Sequence, residues 1–221
     1  MLIHLIPILA VGAFSLAIII ERVKALYWKY PVNSELFLAE IKQKILSNDI
    51  ASAIQQCASQ GEALAAKVVK AGLVRAPRDN KQIQAALEIG AHEAIALIRK
   101  RIAFLAMFAN IATLFGLLGT IMGLIKSFAA VATVDAATKS VMLSEGISTS
   151  MNATASGLLV AIPTMIAFSV LQSRANRLVE EIETSAMSTM DLLCARAYRD
   201  DLDEVGQTKD AKPSLSLVKA A

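Results

Sequence analysis

Charge is absent from three long stretches of the chain: residues 2–20, 102–125 and 146–173. Each approaches or exceeds the roughly 20 apolar residues that a helix needs to cross the hydrocarbon core of a bilayer. Between and after them the apolar positions fall at helical spacing. Ser34 is placed to cap a helix running to about Leu46, and Asn48 or Asp49 to cap the next, over residues 50–59, which ends near Gly61. Residues 62–75 carry Leu64, Val68, Val69 and Leu73 on one side. Ala76-Pro-Arg-Asp-Asn80 is a break, and from Lys81 a long helix is expected to run without interruption into the second span, with Ile83, Leu87, Ile89, Ile95, Leu97 and Ile98 on its buried side. Beyond the third span Val179, Ile182, Ala186, Met190, Leu193 and Ala197 recur at three- and four-residue steps. No two-residue alternation appears. The pattern predicts an all-α membrane protein: three transmembrane helices with long cytoplasmic helical extensions.

Composition agrees. The chain has 221 residues, 55% of them hydrophobic, and a mean hydropathy of +0.53. The net charge of +3 is unevenly spread. Arg22, Lys24 and Lys29 follow the first span, Arg99, Lys100 and Arg101 precede the second, and Arg174 and Arg177 follow the third. Lys126 and Lys139 in the intervening loop are offset by Asp135 and Glu145. Basic residues stay on the cytoplasmic side. This gives a first span over residues 1–21 with a periplasmic N-terminus, a cytoplasmic helical domain over 22–101, a second span at 102–125 and a periplasmic loop at 126–145. The third span is 146–173, followed by a cytoplasmic helix at 174–200 and a disordered tail at 201–221. The first span has no basic residues before its apolar run, so it reads as an uncleaved anchor rather than a signal peptide. The basic clusters are topology determinants and call for no nucleic acid. Cys57 and Cys194 both fall on the cytoplasmic side, where a disulfide is not expected. With only His4 and His92, both isolated, they make no metal site.

The second and third spans carry small and hydroxyl residues where lipid-facing helices carry Leu. Ala112, Gly116, Thr120 and Gly123 share one narrow face of span two, and Gly119 lies beside them. Ser150, Thr154, Gly157 and Ala161 share one face of span three, and Pro163 cannot donate to the carbonyl of Leu159. Such residues allow close helix packing. Ser148, Thr149, Ser150, Asn152, Thr154 and Ser156 are polar on more than one side of the helix, which packing alone does not require. Thr120 lies roughly 9 Å below the outer end of its span and Thr154 roughly 12 Å below the start of its own, so antiparallel helices would bring the hydroxyls to one level. Thr120, Thr154, Ser150, Asn152 and Thr149 are the candidate ion pathway. Ala112, Gly116, Gly119, Gly123, Gly157, Ala161 and Pro163 are the candidate packing residues.

No Asp, Glu, Lys or Arg lies inside any of the three spans. Proton routes through membranes need a titratable group, so a proton-conducting role would require a carboxylate from another chain. An enzyme is not expected, because no metal-ligand cluster, phosphate loop or nucleophile–base constellation is present. Nor is a cofactor expected. The acidic run Asp200, Asp201, Asp203 and Glu204 reads as solvated surface.

Gly116-Leu-Leu-Gly-Thr-Ile-Met-Gly123 followed by Ser127-Phe128, and Gly146-Ile…Ala153-Thr-Ala-Ser-Gly-Leu…Ala161-Ile-Pro163, resemble the proton-channel family of ExbB, TolQ and MotA, and most of all its ExbB/TolQ branch. The resemblance covers most of the chain. It implies a homopentamer in the bacterial inner membrane around a single-span partner of the ExbD/TolR type. An aspartate on the partner's helix would take up and release protons while facing Thr120 and Thr154. The resulting rotation would do work on the envelope. One departure stands out: several ExbB and TolQ members read Gly-Ile-Ala-Glu-Ala, and Thr149 stands here in place of that glutamate. It leaves open which machine is driven (siderophore uptake, the Tol system, gliding or another) and whether H⁺ or Na⁺ is the ion. A non-conducting membrane scaffold is the alternative function class.

Overall fold

The computed structural model describes residues 2–30, 34–132 and 135–210, with side chains described for 6–30, 36–132, 135 and 137–199. Helix α1 spans Leu2–Lys24 and widens into a π-helical turn at Ala25–Lys29. It is followed by α2 (Ser34–Leu46), α3 (Ile50–Ser59), α4 (Leu64–Leu73), α5 (Asn80–Arg99), α6 (Ile102–Val131) and α7 (Ala136–Asp210). Among the described residues there is no strand. Three helical stretches are long and apolar enough to cross a membrane.

Local chemistry explains the short helices. Asn48 ends α2 in the left-handed region at φ 62°, a conformation Asn tolerates better than most residues. The Asp49 amide then donates back to Lys44 O at 3.0 Å. Of the two capping candidates, Asp49 is the one that caps α3: its carboxylate accepts from the Ser52 amide at 3.0 Å. The Ser52 hydroxyl and then the Ser52 amide, both hydrogen-bonding to it, hold the exposed Asp49 carboxyl below its ordinary value. Gly61, at φ 60°, turns the chain after α3. The Ser34 cap and His4 concern side chains outside the described set.

The chain divides into two compact units, Met1–Tyr30 with Ile95–Val179, and Pro31–Ala94 with Glu180–Ala221. The second unit is built on large side chains. Ile41, Ile45, Val69 and Leu73 are fully buried, joined by Ile83, Leu87, Ile182 and Leu193. Cys57 is a free thiol in this core, pushed up to about 11 by burial. Cys194 is also free. In the first unit α1 packs on α6. Ala109 and Ala112 of α6 meet Ala161 of α7, with Val11 of α1 against them.

The structure corrects several expectations. The helix from Lys81 does not run unbroken into the second span. It breaks at Lys100–Arg101, and Arg101 sits at φ 62°. Side-chain bonds hold this corner. Arg101 Nη1 lies 2.6 Å from Glu21, whose other oxygen pairs with Arg22 Nη2 at 2.7 Å. Arg22 Nη1 donates to Leu97 O at 3.3 Å. Ile89 and Leu97 are exposed, and the buried stripe of α5 is Ile83, Leu87, Ala94 and Ile98 instead. The stripe on α7 differs too. Ser185 and Thr189 are buried, their hydroxyls satisfied by carbonyls one turn back, whereas Ala197 is exposed. The 126–145 segment is mostly helical, because α6 continues to Val131 and α7 already starts at Ala136. Helix α7 also runs to Asp210, ten residues into the segment expected to be disordered, and residues 211–221 lie outside the described set.

Candidate functional site

The seam between α6 and α7 is built on backbone. A Cβ on Gly157 would lie 2.7 Å from Ala112 O and 3.0 Å from Gly116 Cα. One on Gly116 would lie 3.2 Å from Thr154 Cα. Further out, Gly123 is set against Ser150, and Gly146 against Ser127, with no room for a methyl group at either glycine. Each step along α6 is thus matched by an equal step backward along α7. This register places Thr120 opposite Ala153 and Gly119 opposite Thr154, so the two threonines lie within one residue's rise, about 1.5 Å, along the helix axes.

The hydroxyls are already engaged as donors. Thr154 Oγ1 donates across the seam to Gly116 O at 3.1 Å, and Thr120 Oγ1 donates to Leu117 O in its own helix at 2.6 Å. Ser150 and Ser156 donate to Gly146 O and Asn152 O at 2.7 and 2.8 Å. A hydroxyl that has given its proton keeps its lone pairs. At this level the site is therefore furnished with acceptors, suited to water or to a protonated carboxyl. Thr120 and Thr154 are half-buried and Ser150 is buried, while Thr149 and Asn152 are exposed.

A cleft of about 340 Å³ opens along the half of the seam nearer the α6–α7 connection, lined among others by Thr149, Ser150, Asn152, Ser156, Lys126 and Glu145. Thr120 and Thr154 are not in its lining. The structure thus brings Thr149, Ser150 and Asn152 together in one space and sets the threonine pair beside the end of it farther from the α6–α7 connection. Ala112, Gly116, Gly119 and Ala161 are buried on the seam or the three-helix junction; Gly157 is too, and Gly123 abuts Ser150. Pro163 lies inside α7 without ending it.

A model of the MotA/TolQ/ExbB proton channel family matches residues 57–184, more than half of the chain. The chain belongs to this family. Among individual proteins it is 32% identical over 96 residues to the Tol-Pal system protein TolQ of Haemophilus influenzae, covering 43% of this chain and 42% of that protein. It is 35% identical over 79 residues to the biopolymer transport protein exbB1 of Vibrio cholerae, covering 36% of this chain and 35% of that one. The TolQ of Pseudomonas aeruginosa is 34% identical over 98 residues, covering 44% and 42%. The match spans less than half the length of each of these relatives. They support the ExbB/TolQ branch.

Two features of this family member escaped the sequence. Ser15 and Thr164 are buried facing each other across α1 and α7, Oγ1 to Oγ 3.5 Å, each also bonded to a carbonyl of its own helix. A Cβ on Gly12, one turn before Ser15 on α1, would lie 3.4 Å from both methyl groups of Val160. Gly12 and Ser15 interrupting an otherwise aliphatic first span were the available signal. The Glu21–Arg22–Arg101 corner was also missed, because it joins residues about eighty positions apart.

Proposed function

We propose that this protein is the channel-wall subunit of an inner-membrane stator. It would assemble as a homopentamer around an ExbD/TolR-type single-span partner and convert proton-motive force into mechanical work for envelope transport, envelope maintenance or surface motility. Its N-terminus and the 126–145 segment would face the periplasm, and residues 22–101 and 174–221 the cytoplasm. The observation that carries this reading is the pairing of Thr120 and Thr154 at one level on two spans that contain no ionisable residue. Both hydroxyls have donated their protons to carbonyls, so both present acceptors. A partner's aspartate would be received there when protonated and released when ionised, because an acceptor stabilises a carboxylic acid and repels a carboxylate.

One contact favours the scaffold reading instead. The Thr154–Gly116 hydrogen bond joins the two helices, and interhelical bonds of this kind are glue in membrane bundles. Proton uptake into liposomes holding the complex with its acid-bearing partner decides between them. Thr154→Val keeps size and branching and removes the hydroxyl. Uptake lost with the complex still assembled supports the channel wall. Uptake equal to wild type removes Thr154 from the mechanism. An active complex without uptake in either form supports the scaffold, and uptake that follows a sodium gradient alone replaces H⁺ with Na⁺.

A further inference from the structure

The outer cleft contains chemistry that the threonine pair does not use. Along α7 its wall runs from Met142 and Glu145 down to Ser156; the eleven steps from Glu145 to Ser156 rise about 16 Å. Along α6 it runs from Ala130 to Gly119. Because Gly119 is level with Thr154 and Ala153 with Thr120, the inner end of the cleft reaches the threonine level. Its outer end holds the ionisable groups of the lining, Glu145 and Lys126. The volume of about 340 Å³ has room for roughly ten waters at about 30 Å³ each. Those waters would find acceptors on Ser150 and Ser156, whose protons are directed to Gly146 O and Asn152 O, and both donors and acceptors on the exposed Thr149 and Asn152. Filled with hydrocarbon, the cleft would leave the Asn152 amide with nothing to bond, a cost of several kcal/mol by transfer estimates. Polar groups therefore line it from the charged rim to the threonine level.

We propose that Glu145 is the outer proton-loading carboxylate of this subunit, and that the cleft beneath it carries the proton on water held by Thr149, Ser150, Asn152 and Ser156. The inference rests on the proton-channel reading above. The proton leaves external water for the Glu145 carboxylate, passes to the water file, and reaches the partner's carboxylate at the Thr120–Thr154 level. Glu145 is then a carboxylate again and nothing else has changed. Glu145 lies one helical turn outward of Thr149, so the loading group sits at the water-facing rim rather than within the span.

Two measurements on the full complex test this. With Cys57 and Cys194 replaced by Ser, the variants Thr149→Cys, Asn152→Cys and Ser156→Cys are exposed from the outer side to a membrane-impermeant thiol reagent. All three should react. Failure of Ser156→Cys to react overturns the water-filled cleft whatever the protein's function. Proton uptake is then compared for wild type, Glu145→Gln and Glu145→Asp in complexes of equal assembly. Glu145→Gln should lose about tenfold or more, the scale of a positioned proton-transfer group, and Glu145→Asp should recover most of it. Active wild type with equal uptake by Glu145→Gln overturns the role of Glu145 and leaves the channel reading standing. No uptake by wild type removes the channel reading, and the role of Glu145 with it.

Discussion

The two units are packed by opposite means. In the second, branched and aromatic side chains such as Phe37, Ile41, Val68 and Leu73 fill the space between short helices. In the first, α6 and α7 meet through Ala112, Gly116, Gly157 and Thr154, with backbone set against backbone. Water supplies the driving force in one case, since burying each large aliphatic side chain is worth about 1.5–3 kcal/mol. Lipid tails are as apolar as Leu and supply none between spanning helices, so close van der Waals contact and interhelical hydrogen bonds take over. A core of flexible side chains can yield locally, whereas two touching backbones can only move apart.

The largest expected effect follows from that difference. Gly157→Ala places a methyl carbon 2.7 Å from Ala112 O and 3.0 Å from Gly116 Cα. Neither can rotate away, so α7 must shift, and the Thr154–Gly116 bond is lost with it. Overpacking of this kind costs on the order of 1–3 kcal/mol even where side chains can relax, so the upper part of that range is expected here. Thermal unfolding in detergent should show a clear loss, and the complex with the partner should assemble poorly. Wild-type stability of Gly157→Ala would mean that the seam is looser than its geometry.

A smaller effect is expected at the corner where α5 gives way to α6. Glu21 holds both Arg22, almost fully buried, and Arg101, which sits in a left-handed conformation unusual for a non-glycine residue. Glu21→Ala leaves the Arg22 guanidinium buried with Leu97 O as its remaining partner in this network. About 2 kcal/mol should be lost, the worth of charged hydrogen bonds discounted for the partial exposure of Glu21. Glu21→Gln should lose less, since the amide oxygen still accepts. Equal melting of all three proteins would show that the corner is held by α6 packing alone.

Much of this was legible in the sequence. The three spans announce themselves by uncharged length, and the seam by Gly116, Gly119 and Gly123 against Gly157 and Ala161. Helix α3 was equally plain, with its cap narrowed to Asn48 or Asp49. What could not be read is whatever depends on distant partners. The break at Arg101 has no Gly or Pro to mark it; it exists because Glu21 is there to bond. Ile89 and Leu97 look like core residues on α5, yet they are exposed, and alanines at 86 and 94 are buried in their place. The cleft between α6 and α7 was invisible for a related reason. Glu145 and Lys126 read as loop charges until α6 and α7 prove to continue past them.

The core of the second unit offers a pH test that the α6–α7 seam cannot. Burial pushes the Cys57 thiol up to about 11 from an ordinary 9.0. The folded state thus favours the neutral thiol. Its stabilisation is complete below pH 9 and fades as pH rises toward 11, because the unfolded chain ionises first. Two units amount to on the order of 2–3 kcal/mol at the upper limit. Cys57→Ser should flatten the loss of stability between pH 9 and 11. Below that window Cys57 should resist alkylation in the folded protein, since the thiolate is the nucleophile. Rapid alkylation at pH 8 without unfolding would show that this core opens.

The smallest effect is the most telling partner to Gly157. A Cβ on Gly72 would lie 2.6 Å from Leu87 Cδ2, no farther than the Gly157 clash. Distance alone would rank the two substitutions together. The atoms struck at Gly72, however, are Cδ2 and, at 2.9 Å, Cγ of one leucine side chain, which can turn about its own bonds, whereas at Gly157 the first is a carbonyl oxygen fixed in a helix. Gly72 also lies within α4, where alanine gains up to about 1 kcal/mol of helix propensity over glycine. Rearranging one leucine costs a similar amount. Gly72→Ala should therefore melt within about 1 kcal/mol of wild type, while Gly157→Ala does not. Equal losses at both positions would mean that the second unit is packed as rigidly as the seam, and that the contrast between side-chain and backbone packing does not govern this protein's tolerance to change.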